Sequence, residues 1–461
     1  MRTYQLLLLT LVGACTLSLT AEGKELPDST SLRAAFRAGK TEGSLRTFYM
    51  QTINHAGLRD YYALGGAAAL RHETGNFHGF HFTIGGSYSY NLLSNDLTLP
   101  DPVTRTASRY EAGLFDLDHP TSKTDLARLE ELQLRYQFRT LSLTWGMQRV
   151  QTPFLNAQDG RLRPNFADGI WLRVGRSEQI QAEAAWLYRI APRSTTQWYT
   201  TGRSFGLYPS GLSVYGKPST YRNAVQTDGL LIIALKGTSG KKVRWNLWDY
   251  FVPGVFHTVF GQAEYRTRHA SGRDLSAGLQ VTRQDAVGDG GNADSSKAYN
   301  LPGSGTWVVS GRIGTMRPDW QLWLNYTRIG KEGRFLMPRE WGREPFYTFL
   351  PRERNEGAGD VHAISLQFTY GQEAATNRLS LSGGYYALPA ANDALLNKYG
   401  MPSYIQINLE YRRHFRGTLE GLDLQVLLVH KFNRGDLFGK ESYRFNKTDM
   451  SNLNLVLTYS F

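Results

Sequence analysis

From about Gly43 to the last residue, Phe461, the chain repeats one theme: stretches of roughly 9 to 14 residues in which apolar and polar side chains alternate, the length and pattern of strands that cross a bilayer at a tilt. The C-terminus shows it clearly, with Leu453, Leu455, Leu457, Tyr459 and Phe461 on one face and Asn452, Asn454, Thr458 and Ser460 on the other. Leu132, Leu134, Tyr136 and Phe138 alternate in the same way with Gln133, Arg135 and Gln137, and Ile405, Ile407, Leu409 and Tyr411 with Gln406, Asn408 and Glu410. Divided at its turn signals, the chain yields eighteen strands beginning near residues 43, 60, 79, 126, 140, 168, 178, 227, 241, 254, 273, 304, 319, 361, 378, 402, 419 and 450.

Alternation alone also suits a soluble sandwich; the connections separate the two. Links after even-numbered strands are short, as at Arg139-Thr140, 175–177, 237–241, 315–318 and 416–418. All the long ones follow odd-numbered strands: 94–125, 151–167, 191–226, 285–303, 331–360, 389–401 and 434–449. Short turns on one rim and long loops on the other are the habit of outer-membrane barrels, and the even count places both termini on the short-turn, periplasmic side. In hydrocarbon every backbone N–H and C=O must find a partner, so such a sheet has to close. The expectation is an all-β fold, a transmembrane antiparallel barrel wide enough inside for water and small solutes. Tyr88, Tyr90, Trp145, Trp186, Tyr385, Tyr411 and Tyr459 would form its interfacial girdles.

Composition agrees where it bears on this. Beyond the first two dozen residues no apolar run is long enough for a membrane helix, and mean hydropathy is only −0.40. Residues 1–21 read as a secretory signal peptide, with Arg2 at the start, an apolar core over Leu6 to Val12 and a small-residue exit at Ala21. In a competing reading, Val12-Gly13-Ala14-Cys15 resembles a lipoprotein processing site that would leave Cys15 acylated. Residues 22–42 would be an N-terminal periplasmic segment and 43–461 the barrel. The only cysteine is Cys15, so thiol-based metal sites and nucleophiles are excluded from the mature chain. The net charge of +12 is scattered along the strands instead of gathered in a basic arm, which argues against nucleic acid. Outer-membrane lipid, lipopolysaccharide, small solutes and, during biogenesis, the barrel-assembly machinery are the expected partners; Tyr459 and Phe461 resemble that machinery's terminal aromatic signal.

The stretch Gly146-Met147-Gln148-Arg149, Thr152-Pro153, Asp159-Gly160-Arg161-Leu162-Arg163-Pro164-Asn165-Phe166 and Gly169 resembles the OprD family of substrate-specific porins. Leu45-Arg46-Thr47-Phe48-Tyr49 is similar to the family's first strand, whereas Asp60-Tyr61-Tyr62-Ala63 departs from its second. The resemblance implies a monomeric eighteen-stranded channel, not an enzyme, whose third loop folds inward and whose basic inner wall guides a solute carboxylate. On that basis Arg161, Arg163 and Asp159 would form the constriction with Arg149 at the preceding strand end. By parity, Arg135, Arg173, Arg244, Arg312, Arg378, Arg412 and Lys431 would point inward, with Glu410 and Asp423 as acidic partners.

Weaker signals carry less. Gly211 to Lys217 matches the start of a phosphate-binding loop, but Pro218 stands where a hydroxyl is needed. His72, His78 and His81 share no zinc spacing, and neither a serine-hydrolase elbow nor a metalloprotease helix is present, so no catalytic residue, metal or cofactor is expected. The rivals are a barrel lipase or protease, an adhesion barrel, a channel for hydrophobic substrates and a soluble sandwich.

Overall fold

A computed structural model describes residues 28–157, 160–176, 178–267, 272–372 and 375–461. The signal segment 1–21 and the constriction candidate Asp159 lie outside these residues. Nineteen strands hydrogen-bond in one sheet, of which Tyr199–Thr200 is a two-residue piece laid on the end of a longer strand. The other eighteen form the closed antiparallel barrel. They are β1 Lys40–Ile53, β2 Tyr61–Glu73, β3 Phe80–Ser94, β4 Leu126–Phe138, β5 Leu141–Gln148 and β6 Phe166–Gly175. Then follow β7 Ile180–Ala191, β8 Leu230–Ser239, β9 Val243–Val252, β10 Phe256–Arg266, β11 Asp274–Ala286 and β12 Gly305–Met316. The last are β13 Trp320–Ile329, β14 Val361–Tyr370, β15 Asn377–Ala387, β16 Tyr404–His414, β17 Leu422–Asn433 and β18 Met450–Ser460.

Every strand begins within three residues of its expected position. The largest departures include β1, which starts at Lys40 and so extends the wall into the segment assigned to the periplasm. Closure runs through β1 and β18, from Ser44 opposite Ser460 to Ile53 opposite Ser451. Phe461 lies against Gly43 at this seam, where a β-carbon on Gly43 would stand 2.4 Å from the terminal ring. The β2–β3, β3–β4 and β6–β7 pairs each carry a register shift, at Leu64/Gly65, Gly85/Gly86 and Asp168/Gly169.

The outward face is apolar and exposed: Leu45, Leu70, Ile84, Leu134, Trp145, Leu247, Leu324, Leu366, Leu409 and Leu457 all stand on it. On a soluble protein an apolar belt of this extent would be an association surface; against hydrocarbon it is the required one. The inward face is less uniformly polar than alternation suggests. Phe48, Met50, Trp171, Ile232, Trp248, Tyr250, Phe260, Val308, Val429 and Val456 point into the lumen, yet each is buried. The loops that follow odd strands bury them by folding inside.

These loops, L1 to L9 in chain order, include L2 (95–125), L3 (149–165), L4 (192–229), L6 (287–304), L7 (330–360), L8 (388–403) and L9 (434–449). At the opposite rim a short helix, α1 (Leu32–Arg37), is capped by the Ser31 hydroxyl accepting from Ala34 N at 3.1 Å.

Candidate functional site

Two apolar cores fill much of the loop side of the lumen. In the first, Phe154 of L3 meets Tyr250 on β9 and Phe260 on β10 with ring centroids 5.4 and 5.6 Å apart, and Phe335 and Phe346 of L7 at 5.7 and 6.1 Å. Trp341 of L7 packs on Phe205 of L4 and donates its indole N–H to the Ser204 hydroxyl at 2.8 Å. In the second core, Leu97, Tyr110, Leu114 and Phe115 of L2, Leu162 of L3 and Phe445 of L9 cover Phe48, Met50, Tyr61 and Val456 of the wall. Burying each such side chain contributes about 1.5–3 kcal/mol, which makes the loops part of the fold. L3 belongs to both cores, through Phe154 and Leu155 at one end and Leu162 at the other. Gly160 and Arg161 of the same loop lie in the gap between them.

The gap is lined by guanidinium groups. A β-carbon on Gly160 would lie 3.2 Å from Nη1 of Arg193 (L4) and 3.8 Å from Nη1 of Arg352 (L7), so both side chains converge on L3. Arg161 donates to its neighbouring Gly160 carbonyl at 2.6 Å and lies beside Gly113 of L2, where a β-carbon would sit 3.0 Å from its Nε. Burial and the nearby Arg352 push the Arg161 guanidinium down to about 9. Burial and Arg193 push Arg352 to about 10, and burial with Arg339 and Arg193 does the same to Arg354. All remain cationic at neutral pH, held against mutual repulsion by the packed loops.

The fastening of Arg352 is visible in detail. Its backbone adopts a left-handed φ of 79°, a costly geometry for a side chain of this size. Its carbonyl accepts from the Tyr110 hydroxyl and from Lys431 Nζ, both at 3.1 Å, and its Nε donates to Asn452 at 3.0 Å. The next residue, Glu353, is the anionic hub: Arg109, Lys431 and Arg339 reach its carboxylate at 3.3, 3.2 and 3.8 Å. Burial would raise that carboxyl, but Arg109, Lys431 and Arg339 outweigh it and hold it far below the usual carboxylate range. Arg339 also pairs with Glu356 at 2.6 Å and stacks on Tyr399 at 3.7 Å.

L7 is stapled to itself by Glu344, whose carboxylate accepts from Asn355 N, Asn355 Nδ2 and Glu356 N at 2.9–3.0 Å. Burial raises this carboxyl to about 7 despite those donors. The folded loop thus holds the proton more tightly than the free chain, and its extra stability, full below the ordinary carboxylate value, is lost as pH rises to about 7. Protection factors of residues 344–358, taken relative to the intrinsic exchange rate at each pH, are expected to fall several-fold between about pH 5 and about pH 7.5, and Glu344→Gln should flatten that dependence. A variant as pH-sensitive as the parent would refute the assignment.

Of the residues singled out by sequence, Arg161 and Lys431 join this central group. Arg163 does not: it is 2% exposed against the wall, donating to Leu126 O at 3.1 Å, so it packs L3 on β4 instead of facing the gap. Arg149 is exposed and lies 5.6 Å from the Phe166 ring, away from the group. The cross-strand registers put Arg135, Arg173, Arg244, Arg312, Arg378 and Arg412 on the inward face. Most are already engaged. Arg135 pairs with Glu73, Arg173 with Glu183 at 3.5 Å and Arg412 with Glu410 at 2.8 Å. Arg312 lies between the Trp323 and Tyr347 rings at 3.8 and 4.7 Å. Asp423 pairs with His414 near the turn side. The glycine-rich stretch at 211–217 is a tight hairpin closed by Ser213 N to Lys217 O at 2.8 Å. His72 and His81 stand on opposite faces of the wall.

Sequence reasoning did not find Arg109, Arg193, Arg339, Arg352, Arg354 and Glu353, all on loops where no period marks direction. It also passed over the inward Arg46, Arg71 and Lys236, which parity could have found, and Arg128, which lies beyond a register shift that reverses the period.

Below L3 and L7 two adjoining cavities of about 500 and 380 Å³ follow the β8–β13 wall toward the turn side, sharing Thr238, Arg244 and Glu264. Arg343, Glu344 and Lys236 line the upper one, Lys242, Arg266 and Arg312 the lower.

No protein-family model matches the sequence, and no curated protein matches it. Solved structures do. OccK9 (OpdG) of Pseudomonas aeruginosa superposes with a TM-score of 0.73 at 14% identity, over 93% of this chain and 99% of that one. OccAB4 of Acinetobacter baumannii gives 0.70 at 13% identity, over 95% and 100%. OpdK of Pseudomonas aeruginosa, solved with vanillate, gives 0.68 at 14% identity, over 92% and 99%. These are OprD-type porins, and what the chain shares with them at such identity is the fold.

Proposed function

We propose that the protein is a monomeric outer-membrane porin through which small anionic, carboxylate-bearing solutes diffuse passively, with no catalytic role. The observation that carries this reading is the gap between the loop cores, where Arg161, Arg193, Arg352 and Arg354 converge from three loops inside the barrel. Charged groups in a confined, partly desolvated passage raise the local concentration of solutes of opposite sign without holding them too tightly to leave. Lys236, Arg244 and Arg312 line the cavities toward the turn side, Lys236 paired with Glu183 at 2.5 Å and Arg244 with Glu264 at 3.7 Å. The fold likeness supports a channel in the outer membrane, and the vanillate named with OpdK is itself a carboxylate. The exposed apolar belt fits a lipid and lipopolysaccharide surround, and the packing of Phe461 on Gly43 fits a terminal strand read by the assembly machinery.

Purified protein in planar bilayers under a salt gradient is expected to give discrete conductance steps with a reversal potential of the anion-selective sign. Absence of steps would remove the porin reading, and a cation-selective sign would remove the basic gap as its filter.

A further inference from the structure

The periplasmic rim is built differently from the loop rim on its outward face. α1 does not hang beneath the lumen. Phe36 stacks on His72 with ring centroids 6.1 Å apart and lies 6.3 Å from Phe82, and both partners stand on the outward side, opposite Ile84 and Leu134. The helix is tied there by Gly75 N donating to Ala35 O at 2.8 Å. It buries Ala35 toward the turn and leaves Leu32 and Phe36 exposed beside Arg33 and Arg37.

Around the same rim, outward guanidinium groups lie on outward aromatic rings: Arg139 on Phe138 at 5.3 Å, Arg317 on Trp320 at 5.8 Å and Arg413 on Phe415 at 4.9 Å. All three are exposed, and none forms an ion pair among the described residues. On the loop rim three outward charges are paired within the protein, Arg283 with Asp285, Arg328 with Asp360 and Asp249 with His257 at 2.9 Å, and one arginine, Arg434, lies unpaired among the described residues on the outward Phe432 ring at 5.9 Å.

We infer that the periplasmic rim is a docking collar for anionic phospholipid of the inner leaflet, an inference that rests on the membrane placement proposed above. Arg139, Arg317, Arg413 and the α1 arginines meet the phosphodiester groups, while Phe36, Leu32 and the stacked rings enter the acyl boundary. An aromatic ring beneath each guanidinium holds it flat at the polar–apolar boundary, where an anionic headgroup sits. Leu32 and Phe36 continue the apolar belt, and an amphipathic element with basic residues beside its apolar face lies in the interface plane. Phospholipid is the occupant favoured by charge, because the collar is basic and unneutralised on the one rim that faces a phospholipid leaflet.

The test uses the full mature chain in liposomes, with spin-labelled phosphatidylglycerol and phosphatidylcholine as probes of the lipid shell. The parent is expected to take up phosphatidylglycerol over phosphatidylcholine by about fivefold at low salt, falling toward parity in roughly 0.5 M salt. Combined Arg139→Gln, Arg317→Gln and Arg413→Gln should abolish most of the preference, and Arg33→Gln with Arg37→Gln part of it. Arg283→Gln on the other rim should leave it intact. Equal uptake of both lipids by the parent, or a preference that survives the triple variant, would overturn the inference. Conductance of the same vesicles separates the two readings: conduction without lipid preference removes the collar alone, and lipid preference without conduction removes the porin alone.

Discussion

Replacing Arg161, Arg352 and Arg354 together by glutamine is expected to lower the anion-to-cation permeability ratio by about tenfold or more, the scale on which a charged, low-dielectric passage enriches counter-ions. The three side chains come from L3 and L7, and their charges reinforce one another over distances shorter than the screening length of physiological salt. The change should spare the fold. Burial and like-charged neighbours already disfavour each guanidinium, so shorter neutral side chains relieve repulsion without emptying an apolar core. Glutamine at 352 can still donate toward Asn452 or Asn454, the present partners of that arginine. Reversal potentials in asymmetric salt give the ratio directly. An unchanged ratio with normal conductance would place the filter elsewhere, on the wall arginines along the cavities.

Glu353→Ala is expected to have the largest structural effect, loosening L7 by about 3–5 kcal/mol, the usual consequence of removing one partner from a buried charge group. Arg109, Arg339 and Lys431 would lose the carboxylate they share, and Lys431 is fully buried at that point. Glu353→Gln should be milder, since the amide oxygen can still accept. Hydrogen exchange over 344–358 and noise in the open-channel current are the readouts, with the barrel's heat-modifiable gel migration as a control for the wall. Because the carboxyl is held well below its ordinary range, its contribution is present at and above that range and is lost only as pH falls to strongly acid values. L7 as firmly protected in the alanine variant as in the parent would refute the hub.

The barrel was legible in the sequence because each strand repeats a two-residue period and each turn is marked, so β4, β13, β16 and β18 announce both their limits and their faces. The same period assigned Arg135, Arg244, Arg312, Arg412 and Lys431 to the interior. Register shifts at Gly85/Gly86 and Asp168/Gly169 break that inference locally, which is why Arg128 escaped it. The inward Phe48, Met50, Trp248 and Tyr250 look misplaced in a water-filled lumen until the loops that cover them are seen. Loop conformation has no comparable period. Arg163 was legible as a loop arginine but not as a packed one, and Arg193, Arg352 and Glu353 are brought together across long sequence separations.

L2 also bears on the order in which the molecule can be put together. Glu111 accepts from Thr52 of β1 at 2.5 Å, and Tyr110 lies 3.4 Å from Lys431 of β17. β1 and β17 are both neighbours of β18, so the surface that receives L2 is divided between the two ends of the chain. That surface exists only after the last strand has met the first. Docking of L2 is therefore a late event that records successful closure, and an intermediate stalled before it would present Phe48, Met50 and Val456 uncovered to the lumen.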